Sequence, residues 1–183
     1  MTTSPTATPG TGERQDLLDA LHHHRDLFRF TVRDLSDDAA RSRPTVSALS
    51  LGGLIKHVTA VEKNWADFVV DGPAPQPDVD WADIDWSNPP EAVRQHQEGF
   101  VMLEHETLAG LLAAYDEVAA ATDELVRTVD LDARQPLPAA PWFEPGASWS
   151  ARRVFVHILA ETSQHAGHAD ILRETIDGQK SMG

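Results

Sequence analysis

Residues 150–178 read SARRVFVHILAETSQHAGHADILRETIDG, and this stretch decides the fold. Its apolar positions recur at threes and fours, which predicts one long amphipathic helix. Ser148 or Ser150 is the expected N-cap, and Gly178 the C-terminal stop. The inward seam is expected to run Val154, Ile158, Glu161, His165, then His168 or Ala169, then Leu172 and Ile176. Two ionisable residues thus stand where the pattern reserves apolar ones. Burying such groups without partners costs several kcal/mol, so compensation is expected.

Three further segments share the helical period. One runs from Glu13 to Leu35, through Leu17, Leu21, Phe28, Val32 and Leu35. Its His22-His23-His24 triplet falls in register, with His24 expected on the buried side. A second runs from Ser50, a candidate N-cap, to Val70, with Leu54, Val58, Val61, Trp65 and Phe68 as its stripe. A third starts at Pro90 or Glu104 and ends at Val129, through Leu108, Leu111, Tyr115 and Val118. A Pro-rich acidic loop joins the second and third from Asp71 to Pro90, with Trp81 and Trp86 as candidate anchors. Another Pro-rich loop covers Gln135 to Gly146. Strand-like alternation is absent from the pattern. The expected architecture is all-α: a four-helix bundle with long crossover connections over residues 13–183, after a disordered leader at 1–12.

Composition narrows the function. The 183 residues suffice for one domain with a real core. A formal net charge of −14 argues against nucleic-acid and anionic-membrane partners. No apolar run spans a bilayer and the leader is not a signal peptide, so a cytoplasmic protein is expected. With no cysteine, disulfides, thiolate metal sites and a protein-borne thiol nucleophile are all excluded. A metal would be held by His, Asp and Glu, and a reacting thiol would come from a small molecule.

Glu161 and His165 stand four apart, on one helix face and about 6 Å apart along the axis. Two ligands so placed can converge on one metal, and facing helices of a bundle supply the rest. His57, on the flank of the second helix's stripe, is the best third ligand. Two histidines and a glutamate with an open fourth position is a catalytic zinc pattern; nickel and iron are alternatives. The plainer reading of such a pair is an ion pair without metal. His157 extends the row to H-x3-E-x3-H-x2-H and ranks lower, at the edge of the stripe. His168 is a candidate to support the site or bind substrate. His96 and His105 read as solvated histidines.

At these residues the chain resembles the DinB/YfiT-like superfamily of metalloenzymes, and within it an actinobacterial branch sometimes labelled mini-circle protein. It is also similar to the metal-binding domain of mycothiol-dependent maleylpyruvate isomerases. The likeness is carried by LGGLIKH at 51–57, VEKNW at 61–65, LLAAY at 111–115, VHILAETSQHAGHADILRE at 156–174 and Asp177-Gly178. It implies a DinB-type four-helix bundle with His57, Glu161 and His165 as metal ligands, Glu taking the middle place that is His in many relatives. Gln164 stands where relatives often carry Arg, so a substrate contact made there by others is lost or changed here.

The leading expectation is a metal-dependent enzyme that transfers a low-molecular-weight, mycothiol-like thiol to a small electrophile. Zinc would favour the thiolate. His168, Glu62 and Arg173 are candidates to orient substrate or ligands, although Glu62 and Arg173 also read as helix-surface charges. The alternatives are a hydrolase or isomerase using metal-bound water, and a non-catalytic metal-binding stress protein. A homodimer is left open.

Overall fold

The computed structural model describes residues 11–75, 87–138, 140 and 143–181. Most of the acidic loop, with Trp81 and Trp86, and residues 1–10 of the expected leader lie outside them. The elements run α1 (Thr11–Phe30), α2 (Asp37–Arg41), α3 (Leu51–Asp71), α4 (Glu91–Glu98), α5 (Leu108–Thr128), β1 (Arg134–Pro136), β2 (Ser148–Ser150) and α6 (Ala151–Asp177). The fold is all-α in character, and its four long helices form the bundle. Around the bundle they follow the order α1–α6–α3–α5, so α1 and α3 are diagonal partners and the connections between them cross over.

Local chemistry sets the helix ends. Ser50 caps α3 by accepting from the Gly53 N–H at 3.1 Å, and Thr107 caps α5 through the Gly110 N–H. Of the two candidates for α6, Ser150 is the cap, accepting from the Arg153 N–H. Gly178 ends α6 with φ 77°, a left-handed conformation that suits glycine.

Four features differ from the sequence reading. α1 starts at Thr11 and stops at Phe30, five residues before Leu35. A turn through Asp34 (φ 57°) follows, and Ser36 caps a short extra helix, α2. The third expected helix is two, α4 and α5, separated by a strap at residues 99–107. The second Pro-rich loop is closed by a small antiparallel pair, β1 with β2, Gln135 opposite Trp149. Two short strands of three residues carry too little alternation to show as a period.

The strap explains Gly52-Gly53. It passes so close over the first turn of α3 that a Cβ on Gly53 would overlap the carbonyl of Phe100, and one on Gly52 would meet Met102 Sδ. Lys56 fastens it from below, bonding to the Val101 carbonyl at 3.3 Å and pairing with Glu106 at 2.8 Å.

The core falls into two apolar clusters. One holds Phe28, Leu54, Val58, Tyr115, Ala166 and Leu172; the other holds Leu21, Phe68, Val126, Val154, Phe155 and Ile158. Between them lies a polar waist to which every long helix contributes: Arg25, Glu62, Thr122, Asp123 and Thr162, all buried. Arg25 crosses the bundle axis to bind Glu62 through Nη2 and Nε, and bonds to Asp123 Oδ1 at 2.7 Å. His22 meets the other Asp123 oxygen at 2.5 Å. Burial alone would raise the Asp123 carboxyl; hydrogen bonds and charge from Arg25 and His22 outweigh it and hold the group below its ordinary value. In the triplet, His22 and His23 are exposed and His24 is half-buried, as its register predicts.

Candidate functional site

The buried face of α6 runs Val154, Ile158, Thr162, Ala166, Ala169 and Leu172. Glu161 and His165 therefore sit one residue off the innermost line, and the expected seam is corrected by that step. Thr162 takes the inner place because its hydroxyl donates to its own helix, to the Ile158 carbonyl at 2.9 Å. Glu161 and His165 form the rim, with side chains 28% and 15% exposed. The rim lies at the level of the polar waist, on the face where α6 packs against α3.

Here two helix rows run side by side in opposite directions. His57, Val61 and Trp65 come from α3; His165, Glu161, His157 and Arg153 come from α6. At one end the His57 ring stacks on Phe100 at 4.2 Å and 22°, and meets the His165 ring edge-on at 4.9 Å. His165 Nε2 stands 3.6 Å from Glu161 Oε2, and its Nδ1 is 3.4 Å from His168 Nδ1. At the other end His157 Nε2 stands 3.5 Å from Glu161 Oε1. The His157 ring makes edge contacts with Trp65 at 4.8 Å and Trp149 at 5.1 Å.

The electrostatics are unusual at Glu161. Its two imidazole neighbours lie beyond good hydrogen-bond distance, and among the described residues no donor bonds to it and no Lys or Arg pairs with it. Burial lowers both imidazoles and overcomes the opposing charge of Glu161; His168 adds to the depression at His165, and Arg153 at His157. Both rings are therefore neutral at neutral pH, the form that binds metal ions.

The structure thus brings His57, Glu161, His165 and His168 together, and adds His157. Among the described residues no group of three His, Cys, Asp or Glu side chains stands ready as a metal-binding set; what exists is a chain of pairs. Glu62 and Arg173 are not part of it, nor are they surface charges. Glu62 is wholly buried on Arg25. Arg173 is buried too, donating to the carbonyls of Thr31 and Arg33 after α1 and to Asp177. It thereby satisfies the carbonyls left open where α1 ends. His105 is exposed, and nothing is described of the His96 side chain. Phe100, Trp149 and Arg153 went unmarked in the sequence. Arg153 alone carried a signal, standing four before His157 and eight before Glu161.

A family model for mycothiol S-transferases matches residues 16–178, most of the chain. The chain belongs to the mycothiol S-transferase family. This family is DinB/YfiT-like, in accord with the likeness carried by the α3 and α6 motifs. Membership points to mycothiol S-transferase-like chemistry, with a thiol as one substrate. No curated protein matches the chain. Among solved structures, the crystal structure of a conserved protein from Enterococcus faecalis is similar, with a TM-score of 0.61 over 90% of this chain and 97% of that one. At 14% identity that likeness speaks for the fold alone. No helix among the described residues is long and apolar enough to cross a membrane.

Proposed function

We propose that this family member is a metal-dependent S-transferase that joins a low-molecular-weight thiol of the mycothiol type to a small electrophile. The observation that carries this is Glu161: a half-buried carboxylate without a donor among the described residues, set between imidazoles that burial keeps neutral. A divalent cation is the partner such a donor set lacks, and His57, Glu161 and His165 are the residues that would hold it. Two imidazoles and a carboxylate suit zinc, with nickel and iron as alternatives. When bound, the metal supplies charge that favours the thiolate over the thiol.

The chain's own residues do the rest. Phe100 stacks on His57 and fixes the plane of that ring, while His168 lies against Nδ1 of His165. Both are positioning groups. Trp65 and Trp149 lie against His157, next to the carboxylate, and offer an apolar surface where an electrophile can shed water. With no cysteine in the chain, the sulfur comes from the small thiol. In an addition the C–S bond forms as the electrophile's π bond breaks. The thiol proton leaves to solvent, and one returns to the neighbouring carbon. Small thiols are kept reduced in the cytoplasm, which is where this reading puts the protein.

Two measurements test it. Protein produced without a histidine tag is expected to bind about one metal per chain, and His57→Ala and His165→Ala to lose it. Metal-loaded protein should accelerate conjugation of mycothiol to monochlorobimane. No rate above background with mycothiol, bacillithiol or glutathione removes the transferase reading; a metal content near zero, unchanged in His57→Ala, removes the metal.

A further inference from the structure

Beyond the ligand row, α6 carries one more residue on the same face. Arg153 lies two turns before Glu161, about 12 Å away along the axis. Its guanidinium sits 4.7 Å over the ring of Trp149. That indole stacks on Trp65 at 5.0 Å and 17°, and Phe143 meets its edge at 5.7 Å. Nine of the other Arg and Lys side chains stand in ion pairs, namely Arg25, Arg29, Arg41, Lys56, Lys63, Arg94, Arg127, Arg152 and Arg173, while Arg14 donates to the carbonyls of Val126 and Val129. Among the described residues Arg153 has no carboxylate partner. In a chain of net charge −14, an arginine set over an indole and left without an acid is a local exception to a field that repels anions.

We infer that Arg153 recognises a carboxylate on the electrophile, with Trp65, Phe143 and Trp149 receiving the apolar body that joins this carboxylate to the reacting carbon. The indole holds the guanidinium by a cation–π contact and leaves N–H groups to bind the carboxylate. The row then has two specialised ends. Sulfur is handled at His57, Glu161 and His165, and the electrophile's charge at Arg153. This rests on the transferase reading for the reaction, but the binding claim stands apart from it.

The test uses maleimidohexanoic acid and its neutral primary amide as matched electrophiles with mycothiol. Addition forms one C–S bond at a ring alkene carbon, breaks the C=C π bond, and leaves the thiol's proton on the other carbon. Wild type is expected to prefer the acid by about tenfold in kcat/KM, the worth of one charge-assisted contact, and chiefly through KM. In Arg153→Gln the acid-to-amide ratio should fall to about one, and Arg153→Lys should keep part of it. Equilibrium binding of the unreactive succinimide acid and amide, by titration calorimetry, gives a second readout that needs no turnover. If neither maleimide reacts above background, the transferase reading falls, and calorimetry alone decides the inference. An acid preference that Arg153→Gln abolishes supports it. Equal affinity for acid and amide, or a preference that Arg153→Gln leaves intact, overturns it.

Discussion

Arg25 and Glu62 allow a prediction whose size and asymmetry both come from the structure. Glu62 is 0% exposed and bonds to Arg25 alone among the described residues. Arg25 is 1% exposed and has a second acid in Asp123, at 2.7 Å. Removing the two partners therefore has unequal consequences. Arg25→Met is close in volume but strands the Glu62 carboxylate in the core, where breaking one side of a buried pair costs about 3–5 kcal/mol. Glu62→Gln keeps an acceptor oxygen and leaves Arg25 neutralised by Asp123, so its cost should be about 1–3 kcal/mol. For a domain of this size each kcal/mol moves Tm by roughly 2–4 °C. Arg25→Met should thus melt about 6–20 °C below wild type, and Glu62→Gln by clearly less. The double variant Arg25→Met, Glu62→Leu should recover much of the loss. The assay is urea unfolding followed by far-UV circular dichroism, with thermal melts. A loss below about 1 kcal/mol for Arg25→Met, the range of a solvated surface pair, or equal losses for the two single variants, would refute the idea that the waist is a dry, charge-coupled layer.

Three other outcomes are expected. Gly53→Ala gains up to about 1 kcal/mol of helix propensity but drives a methyl into the Phe100 backbone, so net destabilisation by about 1–3 kcal/mol is expected in urea unfolding; Gly52→Ala should be milder, since Met102 Sδ can move. Ser50→Ala should cost about 1 kcal/mol by losing the α3 cap, measured the same way. Acid stability follows Asp123 and Glu106, both held below their ordinary values. Such groups contribute stability that is complete above their unfolded values near ~4 and lost as pH falls through their lower folded values. Melting temperature should therefore stay level with respect to these two groups from pH 7 to pH 5 and fall below about pH 4, and Asp123→Asn should flatten part of that fall.

The features legible in advance were those written in local spacing. Periodicity located all four long helices, Ser50 and Gly178 announced two of their ends, and the four-residue step from Glu161 to His165 put both on one face. His57 could be marked because it flanks an apolar stripe. The α4–α5 strap, the β1–β2 pair and the short α2 were missed, since each is set by contacts with distant segments rather than by its own pattern. The inner line of α6 was misplaced by one residue for a related reason. Composition says which residues are polar, but only packing says that Thr162 can be buried by bonding to its own helix while Glu161 stays at the rim.

The sequence by itself thus determined an all-α bundle, the absence of any protein thiol and the candidate row on α6, because these depend on residue identity and on a helical repeat that is the same wherever the helix lies. Tertiary structure alone decided what the row faces. It brought Phe100 onto His57, stacked Trp65 on Trp149 beneath Arg153, left Glu161 without a donor among the described residues, and drew Glu62 and Arg173 into buried bonds outside the row. Those outcomes depend on how three or more elements meet, and no spacing along one element encodes that.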